Sequence, residues 1–90
     1  LSNNSITSMA WIQNLPDLEV LDLSENNIRR LDRMENCNSV TFMDVGTNRI
    51  TNFDNLNEFP SLGTIIISGN PVSQQYFFSL KESYPDIYIF

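Results

Sequence analysis

The stretch LEVLDLSENNI, residues 18–28, is written twice more along the chain with the same pattern of apolar and polar positions. VTFMDVGTNRI occupies 40–50 and LGTIIISGNPV occupies 62–72, so each copy begins 22 residues after the previous one. A fixed period between about 20 and 50 residues is typical of repeat proteins, in which successive units stack over one continuous core.

The first half of each copy has the pattern of a β-strand. Apolar and outward-facing residues alternate there with a period of two, as they do along a strand with one buried face. The positions that stay apolar in every copy are Leu18, Val40 and Leu62; Leu21, Met43 and Ile65; and Leu23, Val45 and Ile67. The remainder of each repeat is apolar about every third residue, which predicts short 3₁₀ or irregular segments opposite the strands.

An asparagine recurs where each strand ends and the chain must turn. The four copies are Asn4, Asn26, Asn48 and Asn70. A buried amide offers both a carbonyl acceptor and two N–H donors, so it can satisfy backbone groups that the turn leaves without partners. We therefore expect these side chains to form a buried ladder that runs along the repeats.

The phrase L-x-x-L-x-L-x-x-N-x-I resembles the leucine-rich repeat, and the resemblance covers residues 1–72. The 22-residue length is similar to the class found in the protein phosphatase 1 nuclear regulatory subunit, the spliceosomal A-prime protein, dynein light chain 1 and bacterial internalins. The resemblance implies an α/β repeat solenoid: a right-handed coil with a parallel concave β-sheet and short 3₁₀ or irregular convex segments. It also implies that the concave face binds protein partners.

Residues 73–90 depart from the repeat, because Gln75 stands where the period requires an apolar residue. Ser73 followed by QQYFFSLKESY predicts a capped amphipathic helix over about 73–83. Its apolar face would carry Tyr76, Phe77, Leu80 and Tyr84. The helix resembles the C-terminal cap of leucine-rich repeats, which covers the end of the core.

A last short strand is predicted over about 87–90. Tyr-Pro-Asp-Ile at 84–87 echoes Phe-Pro-Ser-Leu at 59–62 at a distance of 25 residues, so the final copy carries three extra residues. This spacing places Ile89 in line with Thr64. At the other end, Leu1 falls in the middle of a strand, from which we expect further repeats or another domain N-terminal to it.

The outward positions of the strands predict a partner-binding surface on the concave face. Neighbouring strands align these positions in rows about 4.8 Å apart. The predicted contact residues are Val20, Asp22, Ser24, Phe42, Asp44, Thr64 and Ile66. Phe42 would anchor a partner, and the two aspartates would pair with Lys or Arg of that partner. A partner is expected because an exposed Val–Phe–Ile patch costs solubility unless it is covered. The alternative is a solvated face without a binding role.

Composition limits the kinds of partner and chemistry. The net charge of −6 disfavours nucleic acid and anionic membranes, and it favours a protein partner with a basic patch. The chain has no histidine, its single cysteine, Cys37, falls in an apolar column, and no phosphate-binding glycine motif is present. We therefore expect neither an enzyme nor a metal or cofactor site.

Two other surface features have both a structural and a functional interpretation. Four arginines, at 29, 30, 33 and 49, fall in two turns and would form a hydrated surface, with a phosphate or acidic-partner site as the alternative. Trp11 falls at an outward convex position, where packing along the back of the repeats is favoured over contact with a partner.

The sequence thus predicts a non-catalytic protein-interaction module, the C-terminal part of a longer repeat domain. The alternatives are a purely structural end-cap of a larger array and a targeting or regulatory region fused to an upstream enzyme domain. The unpaired cysteine and the form of the cap favour an intracellular setting, cytoplasmic or nuclear, although the resemblance also extends to bacterial surface proteins.

Overall fold

A computed structural model describes residues 1–90 and contains one parallel four-stranded sheet. Three strands occupy equivalent places in the repeats: β1 is Val20–Asp22, β2 is Phe42–Asp44 and β3 is Thr64–Ile66. A fourth, β4, is Tyr88–Ile89, and the order in the sheet is the order in the chain. Between the strands lie irregular segments and one 3₁₀ helix, Leu56–Glu58. Each repeat therefore contributes one strand to a repeating α/β fold.

The register of the sheet reproduces the 22-residue period of the sequence. Val20 lies opposite Phe42, and Phe42 lies opposite Thr64. The central residue of each of these strands points inward and is buried: Leu21, Met43 and Ile65. The core continues through Leu23, Val45, Ile67, Ile28 and Ile50, together with the apolar residues of the segments opposite the sheet. The apolar columns of the sequence are thus layers of one shared core.

The recurring asparagines form the predicted ladder, but only Asn26 and Asn48 are buried, whereas Asn70 is partly buried and Asn4 is exposed. Asn48 Nδ2 donates to the carbonyl oxygens of Leu23 and Val45 at 3.0 and 2.9 Å, and its Oδ1 accepts from the amide of Ile28 at 3.0 Å. The side-chain amides of neighbouring asparagines do not bond to each other but share an acceptor. Leu23 O also receives Nδ2 of Asn26, and Val45 O also receives Nδ2 of Asn70. The amides thereby join each turn to the strand of the repeat before it.

A left-handed backbone conformation precedes every asparagine of the ladder, and the sequence analysis did not anticipate it. The four residues are Asn3, Glu25, Thr47 and Gly69, with φ of 57°, 57°, 55° and 83°. Glycine adopts this region without steric cost, whereas a β-branched residue is strained there. A Cβ on Gly69 would also approach Thr47 Oγ1 to 2.8 Å. The turn geometry is therefore repeated even where the residue is unsuited to it.

Replacing Thr47 with glycine should stabilise the fold by about 1 kcal/mol, because the strain of a branched residue with positive φ disappears. Chemical denaturation would show a higher midpoint. Thr51→Gly is the matched control, since Thr51 is exposed and is not among the residues with positive φ. That control should leave the stability unchanged or lower it, and an equal gain at both sites would contradict the explanation.

Helix α1, Gln74–Ser83, follows the third repeat. The Ser73 hydroxyl caps its N-terminus by accepting from the Tyr76 amide at 3.0 Å. Leu80 is buried, and three partly buried residues of the predicted apolar face also pack against the core: Tyr76, Phe77 and Tyr84. Phe78 lies on the other face and is 53% exposed. The apolar stripe read from the sequence is confirmed.

Two tyrosine hydroxyls join this part of the chain to the second repeat, which begins at residue 40. Tyr76 Oη donates to Asp54 Oδ1 and accepts from the amide of Phe53, both at 2.7 Å. Tyr84 Oη donates to the carbonyl oxygen of Asp54 at 2.6 Å. Partial burial and the hydrogen bond to Asp54 raise the pKa of Tyr76 to about 12.

This raised pKa predicts a loss of stability in alkali. Below pH 10 the phenol is neutral in both the folded and the unfolded chain, so its contribution is fully present. Between pH 10 and 12 the unfolded chain loses the proton more readily, and the contribution declines. The difference in urea midpoint between the wild type and Tyr76→Phe should therefore shrink as the pH rises from 10 to 12. A constant difference would show that the hydroxyl does not couple folding to this titration.

The last strand differs from the sequence prediction in its bounds and its register. Tyr88, not Ile89, lies opposite Thr64, and Ile89 lies opposite Ile65. Relative to the 22-residue period, the last copy therefore carries two extra residues before this strand, and not the predicted three. Ile89 is buried and Tyr88 is exposed, and since a shift of one residue exchanges the two faces of a strand, the predicted register would have exposed the isoleucine.

Two positions outside the sheet also differ from expectation. Trp11 is 54% exposed, so it does not pack along the back of the repeats, and its indole N–H donates to the Ser8 carbonyl oxygen at 2.7 Å. Leu15 shares a column with the buried Cys37 and Phe59 but is itself 46% exposed. None of the helices has the length and hydrophobicity needed to cross a bilayer.

Candidate functional site

The outward side of the sheet, which we call the open face, carries the seven contact residues predicted from the sequence. Its first row runs across the strands as Val20, Phe42, Thr64 and Tyr88. Val20 is 62% exposed and Tyr88 is 71% exposed, whereas the two central members are half-buried. This row presents three apolar or aromatic side chains to solvent.

The second row consists of Asp22, Asp44 and Ile66 at the C-terminal ends of the strands. Each carboxylate is held by the backbone that follows its own strand. Asp22 Oδ1 accepts from the amide of Ser24 at 3.0 Å and from its hydroxyl at 2.7 Å. Asp44 Oδ1 accepts from the amide of Gly46 at 2.9 Å. One oxygen of each carboxylate is thus engaged, and the other has no hydrogen bond from the protein.

The third row, Ser24, Gly46 and Ser68, is made of small residues. Gly46 is buried, and a Cβ there would approach both Asp44 Oδ1 and the Ser68 carbonyl oxygen to 3.1 Å. A side chain at this position would therefore disturb the aspartate that the Gly46 amide holds. The small row leaves the carboxylates accessible from the open face.

Charge on the open face has one sign. The strands and the residues that flank them carry Glu19, Asp22 and Asp44 but no lysine or arginine. The one ion pair of the chain joins Arg30 Nε to Asp32 Oδ1 at 3.1 Å, outside the sheet. Hydrogen bonds from the Ser24 hydroxyl and amide lower the pKa of Asp22 from its usual range, so this carboxylate is ionised at neutral pH. Neither Asp22 nor Asp44 forms an ion pair within the chain.

Other candidate features do not come together as sites. Cys37 is buried, and its thiol contacts the carbonyl oxygen of Glu35 at 3.5 Å. No three His, Cys, Asp or Glu side chains are grouped so that they could hold a metal ion. Arg29 and Arg30 line an open cavity of about 380 Å³ with Thr7 and Ser8, and Asp32 enters the same space. Within this cavity Arg30 is therefore already paired with a carboxylate, that of Asp32.

The sequence analysis missed Tyr88 as part of the open face. A signal for it was present, because Ile-Tyr-Ile-Phe at 87–90 alternates aliphatic and aromatic residues. With Ile87 and Ile89 directed toward the core, Tyr88 and Phe90 must face outward, and both are exposed. The prediction instead matched the Pro-containing turn before this strand with the turn of the previous repeat. That match placed the strand one residue out of register.

Comparison with known proteins agrees with the repeat. The family model described as "Leucine rich repeat" matches residues 1–50, more than half of the chain. No curated protein matches the chain at a significant level. The matched residues include β1 and β2 and the asparagines of the ladder from Asn4 to Asn48. Given this match and the parallel sheet with one strand per repeat, the chain belongs to the leucine-rich repeat family.

Proposed function

We propose that this chain is a protein-interaction module that binds its partner on the open face of the sheet. Leucine-rich repeat domains generally mediate protein–protein interaction and are generally non-catalytic. The observation that carries the proposal is the row that begins at the exposed Val20 and the half-buried Phe42, beside two carboxylates without a cation. Exposed apolar groups next to unpaired charge of one sign are typical of a surface that a partner covers.

The mechanism is binding to a rigid, preformed surface. The strands that carry the row are fixed by hydrogen bonds to the neighbouring strands within the sheet. They are also held from beneath by the buried side chains of Leu21, Met43 and Ile65. A partner therefore loses its own freedom on binding but does not have to order the domain. Because the carboxylates lie beside the apolar row, a partner with a basic patch would fit the surface best.

The finer architecture belongs to the same proposal. We infer that the repeats are of the 22-residue class and coil as a right-handed solenoid, with the open face concave. Helix α1 and β4 would then form its C-terminal cap, which the packing of Leu80 and the Tyr76 and Tyr84 hydrogen bonds support. Further repeats or another domain would stack on the free edge of β1, where Leu15 is exposed.

A purely structural role as the end of a larger array is the second candidate. It is favoured by the helix that packs on the core after the third repeat. The two roles differ in what they require of the open face. Binding needs the identity of its outward side chains, whereas an end-cap needs only the buried ones.

The experiment that tests the proposal selects peptides from a random library displayed on phage with the whole chain as bait. Binding of the selected peptides is then measured on a variant carrying Val20→Thr, Phe42→Thr and Asp44→Asn. Threonine is favoured in strands, and asparagine, which replaces a residue of similar strand preference, can still accept from the Gly46 amide. We expect the variant to lose at least tenfold in affinity while its melting temperature stays near that of the wild type.

The matched control changes three exposed residues outside the sheet, Gln13, Arg33 and Asn57, to serine. This variant should bind as the wild type does. Equal binding by the open-face variant would overturn the proposal, and a library that yields no binder at all would favour the structural role.

A further inference from the structure

We propose that the open face binds an arginine-bearing segment that crosses the strands, with Phe42 stacking on the guanidinium and Tyr88 contacting the same segment farther along. This inference rests on the proposed function and specifies the partner of that surface. The occupant is identified by two properties of the face: its row of apolar and aromatic side chains, and its negative charge.

The spacing of the sheet brings an aromatic ring and two carboxylates within reach of one cation. Asp44 follows Phe42 by two residues on β2, so the two project from the same side about 7 Å apart along the strand. Asp22 on β1 lies directly opposite Asp44, about 4.8 Å away on the neighbouring strand. An arginine side chain placed above this triangle would contact all three groups.

The chemistry of the three groups favours arginine over lysine. A guanidinium is planar, so it can lie on the Phe42 ring while its edge donates to a carboxylate. Its forked donors also match two acceptor oxygens, whereas an ammonium is a compact and more strongly hydrated charge. The backbone fixes one oxygen of each aspartate through the amides of Ser24 and Gly46 and leaves the second oxygen available.

The direction of the segment follows from the first row. Val20, Phe42, Thr64 and Tyr88 run perpendicular to the strands, with a step of about 4.8 Å. Phe42 and Tyr88 are thus about 10 Å apart with the shorter Thr64 between them. A segment that runs along the row places its arginine at β1 and β2 and an apolar residue near Tyr88 and Phe90, which are both exposed.

The test uses the peptides selected with the whole chain and a small probe that does not depend on them. We expect the selected peptides to be enriched in arginine over lysine, and exchange of that arginine for lysine to weaken binding about tenfold. Titration with argininamide, followed by backbone amide chemical shifts, should perturb residues of β1 and β2 more strongly than lysinamide does. Phe42→Leu keeps an apolar side chain without a flat ring, and it should reduce the arginine preference.

Tyr88 is tested separately, because it lies outside the set changed to test the proposed function. Tyr88→Ser should weaken the selected peptides at least threefold, whereas Phe78→Ser, an exposed aromatic on helix α1, should not. Peptides that need Phe42 and Asp44 but show no arginine preference would overturn this inference and leave the proposed function standing. Absence of both arginine enrichment and argininamide shifts would overturn it as well. Peptides indifferent to the open face would overturn the two together.

Discussion

Asn48→Ala should destabilise the fold by about 3 kcal/mol, since it removes the centre of the asparagine ladder. The amide of the buried Ile28 has Asn48 Oδ1 as its acceptor, and an orphaned buried N–H costs about 1–3 kcal/mol. Three donated hydrogen bonds, to Leu23, Val45 and Gly46, disappear as well. Their carbonyl oxygens keep other partners, so each loss contributes less. Urea denaturation of the variant would measure the change.

Two further variants separate the hydrogen bonds from the loss of side-chain volume. Asn57→Ala removes the same amide from an exposed residue of the 3₁₀ helix and should change stability by less than about 0.5 kcal/mol. Asn48→Asp keeps the size and the acceptor but replaces the donors with an oxygen that faces carbonyl oxygens. It should therefore be as damaging at neutral pH as alanine. A stable Asn48→Asp variant would show that the donated bonds contribute little.

Phe53→Ala should cost about 3–5 kcal/mol, the range for removing a large buried aromatic side chain. Phe53 is fully buried and is the largest of the completely enclosed side chains. It packs in the second repeat, where its backbone amide donates to the Tyr76 hydroxyl, so a cavity there also loosens the attachment of helix α1. A domain of this size is stable by only about 5–10 kcal/mol, so the variant would lose a large part of its folding free energy.

Phe78→Ala is the matched control for this variant, because it removes the same side chain from an exposed position. Its expected cost is below about 1 kcal/mol. Thermal unfolding followed by circular dichroism would rank the two variants. Similar melting temperatures for both would contradict the assignment of Phe53 to the shared core.

The stability variants and the open-face variants probe different sides of the same strands. Met43 is buried beneath β2, while Phe42 and Asp44 project from its other side. Changes to the ladder or the core should lower stability and binding together, because they disturb the spacing of the rows. Changes confined to the open face should lower binding alone. This difference separates a residue that contacts a partner from one that only supports the surface.

The sequence by itself determined the repeat and everything that follows from equivalent positions in it. The period of 22 residues places Leu21, Met43 and Ile65 in one buried column, and it does the same for the asparagines. Translation by one repeat preserves the environment of each residue, so three imperfect copies suffice to identify inward and outward positions. The amphipathic face of helix α1 could be predicted for a similar reason, because it depends on local periodicity alone.

Only the tertiary structure decided the features that depend on contacts between unlike parts of the chain. The register of β4 follows from the burial of Ile89 in a core formed by other segments, and this placed Tyr88 on the open face. The tyrosine contacts with Asp54 join residues that no period relates. The positive φ of Thr47 is imposed by the turn and the ladder against the preference of a branched side chain. The period of the sequence identifies which residues occupy equivalent positions in the repeats. The placement of the residues after the last repeat depends instead on how they pack against the core.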